Sequence, residues 1–169
     1  MSVIIEPVRT EAQRAEIRTM VWEFFDVLKS RYPEMVAEID EYIAKQNIQH
    51  QLADFEAYFI PPHGECFLAM LEGAPVGMVM IRPASDGGCE LNRMYVREAA
   101  RGHGVGRMLC QAVIEEARKL SYATVFLGAL YRHVEALPLY RSLGFCEYQP
   151  QGGYRPDDKR VIHMRLDLT

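Results

Sequence analysis

The stretch Arg101-Gly102-His103-Gly104-Val105-Gly106 decides how this chain reads. Its three glycines alternate, and they lie between a strand-like run, Cys89–Val96, and a helix-like run at 105–120. Glycine takes a positive φ without a Cβ clash and lets the backbone approach a ligand closely. The first N–H groups of the following helix have no partner within it and carry the positive end of its dipole. A strand, a glycine loop and a helix in that order make a place to hold phosphates.

Two common phosphate loops do not fit. The nucleotide-hydrolase loop needs Lys-Ser or Lys-Thr after its last glycine, and here Gly106 is followed by Arg107-Met108. The dinucleotide fingerprint spaces its glycines Gly-x-Gly-x-x-Gly and needs an acid at the end of the next strand. Here the third glycine comes one position early, and that strand, Thr124–Leu130, ends Leu127-Gly128-Ala129-Leu130. A strand-to-helix turn that binds nothing needs one glycine, not three flanked by Arg101, His103 and Arg107.

A second motif lies downstream, Ala136-Leu137-Pro138-Leu139-Tyr140-Arg141-Ser142-Leu143-Gly144-Phe145. It reads as a helix ending Tyr-x-x-x-Gly-Phe before another strand. With the loop, which fits Gln/Arg-x-x-Gly-x-Gly/Ala, it resembles the GCN5-related N-acetyltransferase (GNAT) family. The resemblance runs over about 65–148, with the two motifs in the family's order and a strand between them.

The rest of the chain agrees. Its 169 residues suit a single N-acetyltransferase domain, with acceptor-side helices at about 10–60 and the acetyl-CoA-binding core at about 65–148. Hydrophobic content of 49% and charged content of 25% are ordinary for a soluble globular protein. No apolar run approaches the ~20 residues of a membrane span, and the N-terminus lacks signal-peptide features. Cys66, Cys89, Cys110 and Cys146 show no metal spacing and read as thiols in a reducing cytoplasm. The net charge of −4 argues against a nucleic-acid partner and permits a cationic amine.

Thr10 reads as a helix N-cap, with Gln13 completing a capping box. Ile17, Met20, Val21, Phe24 and Leu28 follow at helical spacing. A second helix is expected over 34–46 and a third around Leu52, Phe55 and Phe59, stopped by Pro61-Pro62. Strands are expected from Val3, over 65–71 and 75–81, after a turn at Asp86-Gly87-Gly88, and at the C-terminus, where Ile162, Met164, Leu166 and Leu168 alternate with polar residues. The helix after the loop is expected to bury Met108, Leu109, Ala112, Val113, Ala117 and Leu120.

The resemblance implies a mixed, mostly antiparallel α/β sheet flanked by helices, with a splayed strand pair that admits the pantetheine arm of acetyl-CoA. It places the backbone of Met94, Tyr95 and Val96 on that arm. Gly102, His103, Gly104, Val105 and Gly106 fall at the phosphates, as do Arg101 and Arg107 unless these are only solvated charges. Ala136 is grouped with the coenzyme-binding residues. His133 stands where many relatives have an Asn that bonds the arm. Glu90, eleven positions before Arg101, takes the general base's place; the alternative is a cleft-wall residue that binds substrate or pairs with Arg93. Tyr140 takes the place of the general acid, against a plain packing role on the sheet. Leu127-Gly128-Ala129 replaces a Leu-Asp-Thr common in one subgroup. The loop at 149–159, beside Tyr148 and holding Tyr154 and Arg155, reads as substrate contact or mobile lid. His50, His63 and His163 are scattered singles, and no metal site is expected.

The expected function is direct acetyl transfer from acetyl-CoA to a primary amine of a small molecule or a protein, without metal, membrane or nucleic acid. The resemblance allows a homodimer. A rival reading is a catalytically silent acyl-CoA sensor or assembly subunit, and a weaker one a nucleotide-binding module.

Overall fold

Thr10 starts the first helix with both arms of the capping box formed: its Oγ1 accepts from Gln13 N–H at 3.2 Å, and Gln13 Oε1 accepts from Thr10 N–H at 2.9 Å. This is a computed structural model, which describes residues 2–84, 87–133, 135–153 and 155–168. The helix, α1 (Glu11–Arg31), follows strand β1 (Val3–Pro7). A 3₁₀ turn at Pro33–Met35 leads to α2 (Val36–Lys45). The expected third helix is two short ones, α3 (Ile48–Ala53) and α4 (Phe55–Phe59), broken at Asp54.

The sheet then builds outward: β2 (Glu65–Leu71), β3 (Ala74–Pro83) and β4 (Cys89–Val96). After the glycine loop come α5 (Val105–Lys119), β5 (Thr124–Leu130), α6 (Ala136–Ser142), the two-residue β6 (Cys146–Glu147) and β7 (Val161–Asp167). The order is β1-β2-β3-β4-β5-β7-β6. Among the described residues every pairing is antiparallel except β4 with β5. That parallel pair is what a helical crossover, here α5, must produce.

Hydrophobic residues fill both sides of the sheet. Val79, Leu91, Leu109, Val113, Val125 and Met164 pack on the α5–α6 side. Ile17, Phe25, Ile39, Phe59, Leu68 and Met80 pack under α1–α4. Two expectations fail at helix edges. Leu120 lies past the end of α5 and is 52% exposed. In α1 it is Phe25 that is buried, while Phe24 is half-buried and packs edge-on against Phe25 and Tyr95. Pro138 is the third residue of α6, where an N–H would have no partner within the helix in any case.

An ion pair pins the start of α1 to the sheet. Arg9 forks onto Glu65 at 2.8 and 2.7 Å, and Glu65 is only 4% exposed. The other end of α1 is tied to the β5–α6 connection by Arg31–Glu135 at 2.7 Å and by Arg132, which pairs with Glu34 at 2.6 Å.

Candidate active site

The strand pair that should splay does so. β4 and β5 pair only at Cys89↔Val125 and Glu90↔Phe126. Past Glu90 that edge of β4 meets no strand among the described residues, while β5 turns its other edge to β7 for its whole length. β4 also carries a bulge against β3, where Arg93 and Met94 stand opposite the single Val79. Bulges bend a strand and raise its twist, which carries β4 away from β5.

A cavity of about 340 Å³ lies along the unpaired end of β4. Met94, Tyr95 and Val96 of β4 line one wall and Phe24, Val27, Leu28 and Arg31 of α1 another. Arg101, Gly102, Gly104, Val105, Gly106 and Arg107 close one end, and His133, Ala136 and Leu139 the side toward α6. The structure thus brings together every residue expected at the coenzyme except His103. Glu90 and Tyr140 also lie outside this wall.

At the loop end, Gly102 (φ 84°) and Gly104 (φ 75°) take the left-handed backbone that a side chain resists. Gly104 is the N-cap of α5 and offers no side-chain cap. Met108 N–H is the first to close on a helix carbonyl, Gly104 O at 3.1 Å. The N–H groups of Val105, Gly106 and Arg107 therefore remain for an anion, at the positive end of a 15-residue helix. The third glycine differs: a Cβ on Gly106 would meet Leu139 at 3.4 Å and Met94 Sδ at 3.6 Å, ordinary contact distances, so neither space nor backbone conformation demands glycine there. His103 braces the loop, its ring Nδ1 3.1 Å from the Ala100 carbonyl. The exposed Arg101 bonds Val96 O at 3.2 Å and Arg107 bonds Ser142 Oγ at 2.9 Å. This cradle fits a phosphate-bearing ligand with an extended arm along β4.

His133 is held by a residue that sequence reasoning missed. The hydroxyl of Tyr32, a side chain with 0% exposure, accepts the Arg132 N–H at 2.7 Å and lies 3.2 Å from His133 Nδ1. A buried hydroxyl proton needs an acceptor, and Nδ1 is the acceptor in reach. Burial, and then the charge of Arg31, hold the imidazole below the ordinary histidine range. It is therefore neutral at pH 7, with its proton on Nε2. Tyr32 lies 101 residues away in sequence and reads there as one more aromatic at a helix end.

Tyr140 is buried at 5% exposure and packs edge-on against Phe145 at 5.9 Å. Burial pushes its phenol up, so it stays protonated at neutral pH. Glu90 is exposed at the paired end of the gap. Its carboxylate accepts from Asn92 Nδ2 at 2.9 Å, and the pairing with Arg93 weighed from sequence is not formed. Nearby, Tyr148 packs against Phe126 and His163 at 5.6 and 6.3 Å. The loop beyond it is tied to α2 by Arg155–Glu41 at 2.7 Å and Arg160–Glu38 at 3.3 Å. Tyr154 and Asp86 lie outside the described residues. His50 and His63 are exposed. Burial pushes the Cys110 thiol up to about 12, which makes it a poor nucleophile. Among the described residues no cluster of three His, Cys, Asp or Glu could hold a metal, and no helix is long and apolar enough to cross a membrane.

A profile of the Acetyltransferase (GNAT) family matches residues 18–145. An uncharacterized N-acetyltransferase of Schizosaccharomyces pombe, C1271.07c, is 32% identical over 146 residues, 85% of this chain and 88% of that one. N-acetylaspartate synthetase of Danio rerio is 42% identical over 96 residues, which are 56% of this chain and only 34% of that protein. The solved structure of yncA, a putative acetyltransferase from Salmonella typhimurium with its cofactor acetyl-CoA, superposes with a TM-score of 0.72 at 21% identity, over 100% of this chain and 95% of that one.

Proposed function

The chain belongs to the acetyltransferase (GNAT) family and is an acyltransferase, and from that premise we propose that it moves an acetyl group from acetyl-CoA directly to a primary amine. The observation that carries this reading is the single cavity that joins the uncapped N-terminus of α5 to the unpaired edge of β4. The N–H groups of Val105, Gly106 and Arg107 take the pyrophosphate, with the exposed cations of Arg101 and Arg107 beside it. The backbone of Met94–Val96 takes the pantetheine arm as an added strand would, and His133 donates its Nε2–H to the arm's amides. Ala136 gives the arm room at the start of α6.

When bound, acetyl-CoA supplies a thioester whose C–S bond breaks as the amine's N–C bond forms. Glu90 takes the proton that the amine must lose, directly or through water, and Tyr140 gives its phenolic proton to the departing sulfur. N-acetylaspartate synthetase among the relatives puts aspartate on the list of acceptors to try. The buried free thiols of Cys66, Cys89 and Cys110 suit a reducing compartment such as the cytoplasm.

Thiol release from acetyl-CoA, assayed with a panel of amines, tests the reading. Glu90→Gln and Tyr140→Phe should each lower kcat by about 100-fold or more, while acetyl-CoA at ~100 times its Kd still stabilises both variants by about 2.7 kcal/mol. Full turnover in both variants would remove their catalytic roles. No stabilisation of the wild type by acetyl-CoA would remove the site.

A further inference from the structure

Arg93 occupies the least regular point of β4. It is the first residue of the bulge opposite Val79 and takes φ 52°, in the left-handed region that residues with a Cβ avoid. Backbone strain of this kind persists where the surroundings hold it, and it gathers at functional sites. The side chain turns under the α1–α4 layer. Its guanidinium lies 6.0 Å from the Phe59 ring centre, its Nη1 is 3.5 Å from Met80 Sδ, and Tyr42 hydrogen-bonds it. Phe59 and Met80 are both at 0% exposure.

The guanidinium lacks a counter-ion. Arg93 Nε is buried with no hydrogen-bond partner, and no carboxylate among the described residues pairs with Arg93. Glu90, three residues earlier, gives its carboxylate to Asn92. The charge of Arg82 adds repulsion, and that of Glu90, which makes no ion pair with Arg93, a smaller attraction. A thioether is a weak acceptor for a group with five donors that does not deprotonate. Burying an unpaired cation is strongly unfavourable, and a core position filled by Met or Leu would avoid it. Arg93 as a residue nevertheless keeps part of its surface open to solvent.

We propose that Arg93 receives a carboxylate of the acceptor, so that this enzyme acetylates small amines that also carry a carboxylate, that is, free amino acids. The proposal rests on the acetyl-transfer reading above and names its substrate class. A carboxylate matches the guanidinium fork in shape and charge. Arg93 stands on β4 between Glu90, the proposed base, and Met94–Val96, the segment assigned to the coenzyme arm. A molecule anchored at Arg93 therefore lies between the two groups that its amine needs. Polyamines offer nothing for this cation to pair with, and it repels them.

The test measures thiol release from acetyl-CoA with the twenty free amino acids, with L-aspartate diamide and L-phenylalaninamide as carboxylate-free partners, and with spermidine. Wild type, Arg93→Lys and Arg93→Met are compared. The wild type should favour its best amino acid over the matching amide by at least 100-fold in kcat/KM. Arg93→Met should lose that preference through a raised KM for the amino acid, with the KM for acetyl-CoA unchanged, and Arg93→Lys should restore part of it. Thermal unfolding keeps the comparison fair: Met replaces an unpaired buried cation, so its Tm should equal or exceed that of the wild type. Equal use of amides or spermidine by the wild type overturns the proposal, as does an undiminished carboxylate preference in Arg93→Met. Acetyl-CoA binding without thiol release for any of these amines overturns this proposal and leaves transfer to other primary amines standing, whereas no binding of acetyl-CoA overturns the reading beneath it.

Discussion

At position 133 a histidine stands where the motif leads one to expect an asparagine, and the side chain that makes it work comes from elsewhere. An amide offers a fixed N–H donor, whereas an imidazole offers one only if its tautomer is chosen. Tyr32 makes that choice, because its hydroxyl already accepts Arg132 N–H at 2.7 Å and has one proton left for Nδ1. Tyr32→Phe removes both bonds and keeps the ring, which stacks on His133 at 6.0 Å. The partly buried Arg132 N–H then loses its acceptor, and an unpaired buried donor costs roughly 1–3 kcal/mol. The expected result is a loss of about 2 kcal/mol, or roughly 4–8 °C in Tm at this size, with KM for acetyl-CoA raised several-fold and kcat little changed. A kcat that fell with KM unmoved would show that Tyr32 acts elsewhere than on coenzyme binding. His133 was legible in sequence as a departure from a motif. Tyr32 was not, because nothing local distinguishes a helix-end tyrosine that packs from one that orients a histidine.

The elements that frame the cavity were the most legible, since each carries its own local signal. The glycine loop, the start of α5 and the 7-residue α6 follow from residues within one turn of each boundary. The bulge in β4 does not show, because Cys89 to Val96 reads as an uninterrupted strand and the slip depends on what β3 places opposite. The tie between α1 and β2 was equally hidden: Arg9 and Glu65 are 56 residues apart. Each is an ordinary charge in sequence, yet Glu65 is 4% exposed and bonds Arg9 twice and Cys66 N–H once. Breaking a fully buried pair costs roughly 3–5 kcal/mol. Arg9 is 44% exposed on its side chain, so Arg9→Ala should cost less, about 2 kcal/mol. Urea unfolding should show a lower midpoint at unchanged slope, and Arg9→Ala with Glu65→Leu should recover most of the loss. A double variant no more stable than Arg9→Ala would mean that the arginine acts through its packing and not through the charge it neutralises.

Across the whole molecule the order of elements was readable, but the placement of β7 between β5 and β6 was not, because the long connection at 148–160 gives no sign of where the chain returns. That return is tied to α2 by the ion pairs of Arg155 and Arg160, and several groups along it and along α1 titrate away from their ordinary ranges. His133 and His163 are both held below the ordinary histidine range by burial. The carboxyls of Glu23, hydrogen-bonded to Arg97, and of Asp158, hydrogen-bonded to Arg160, are held below theirs, Asp158 at about 2. In every case the unfolded chain binds the proton first, so stability rises with pH through each transition. The histidine contribution is complete above the unfolded value of about 6.5 and is lost as pH falls toward and through the lower folded values. The carboxylate contribution is complete above about 4.5 and is lost as pH falls further, for Asp158 down to about 2. Thermal unfolding from pH 8 to 3.5 should therefore show a plateau above pH ~7, a first decline below about 6.5 and a steeper one below about 4.5. His133→Asn should shrink the first decline and leave the second. A Tm that held or rose between pH 6.5 and 5.5 would contradict a neutral His133 in the folded protein, and with it the Nε2–H donor assigned to the coenzyme arm.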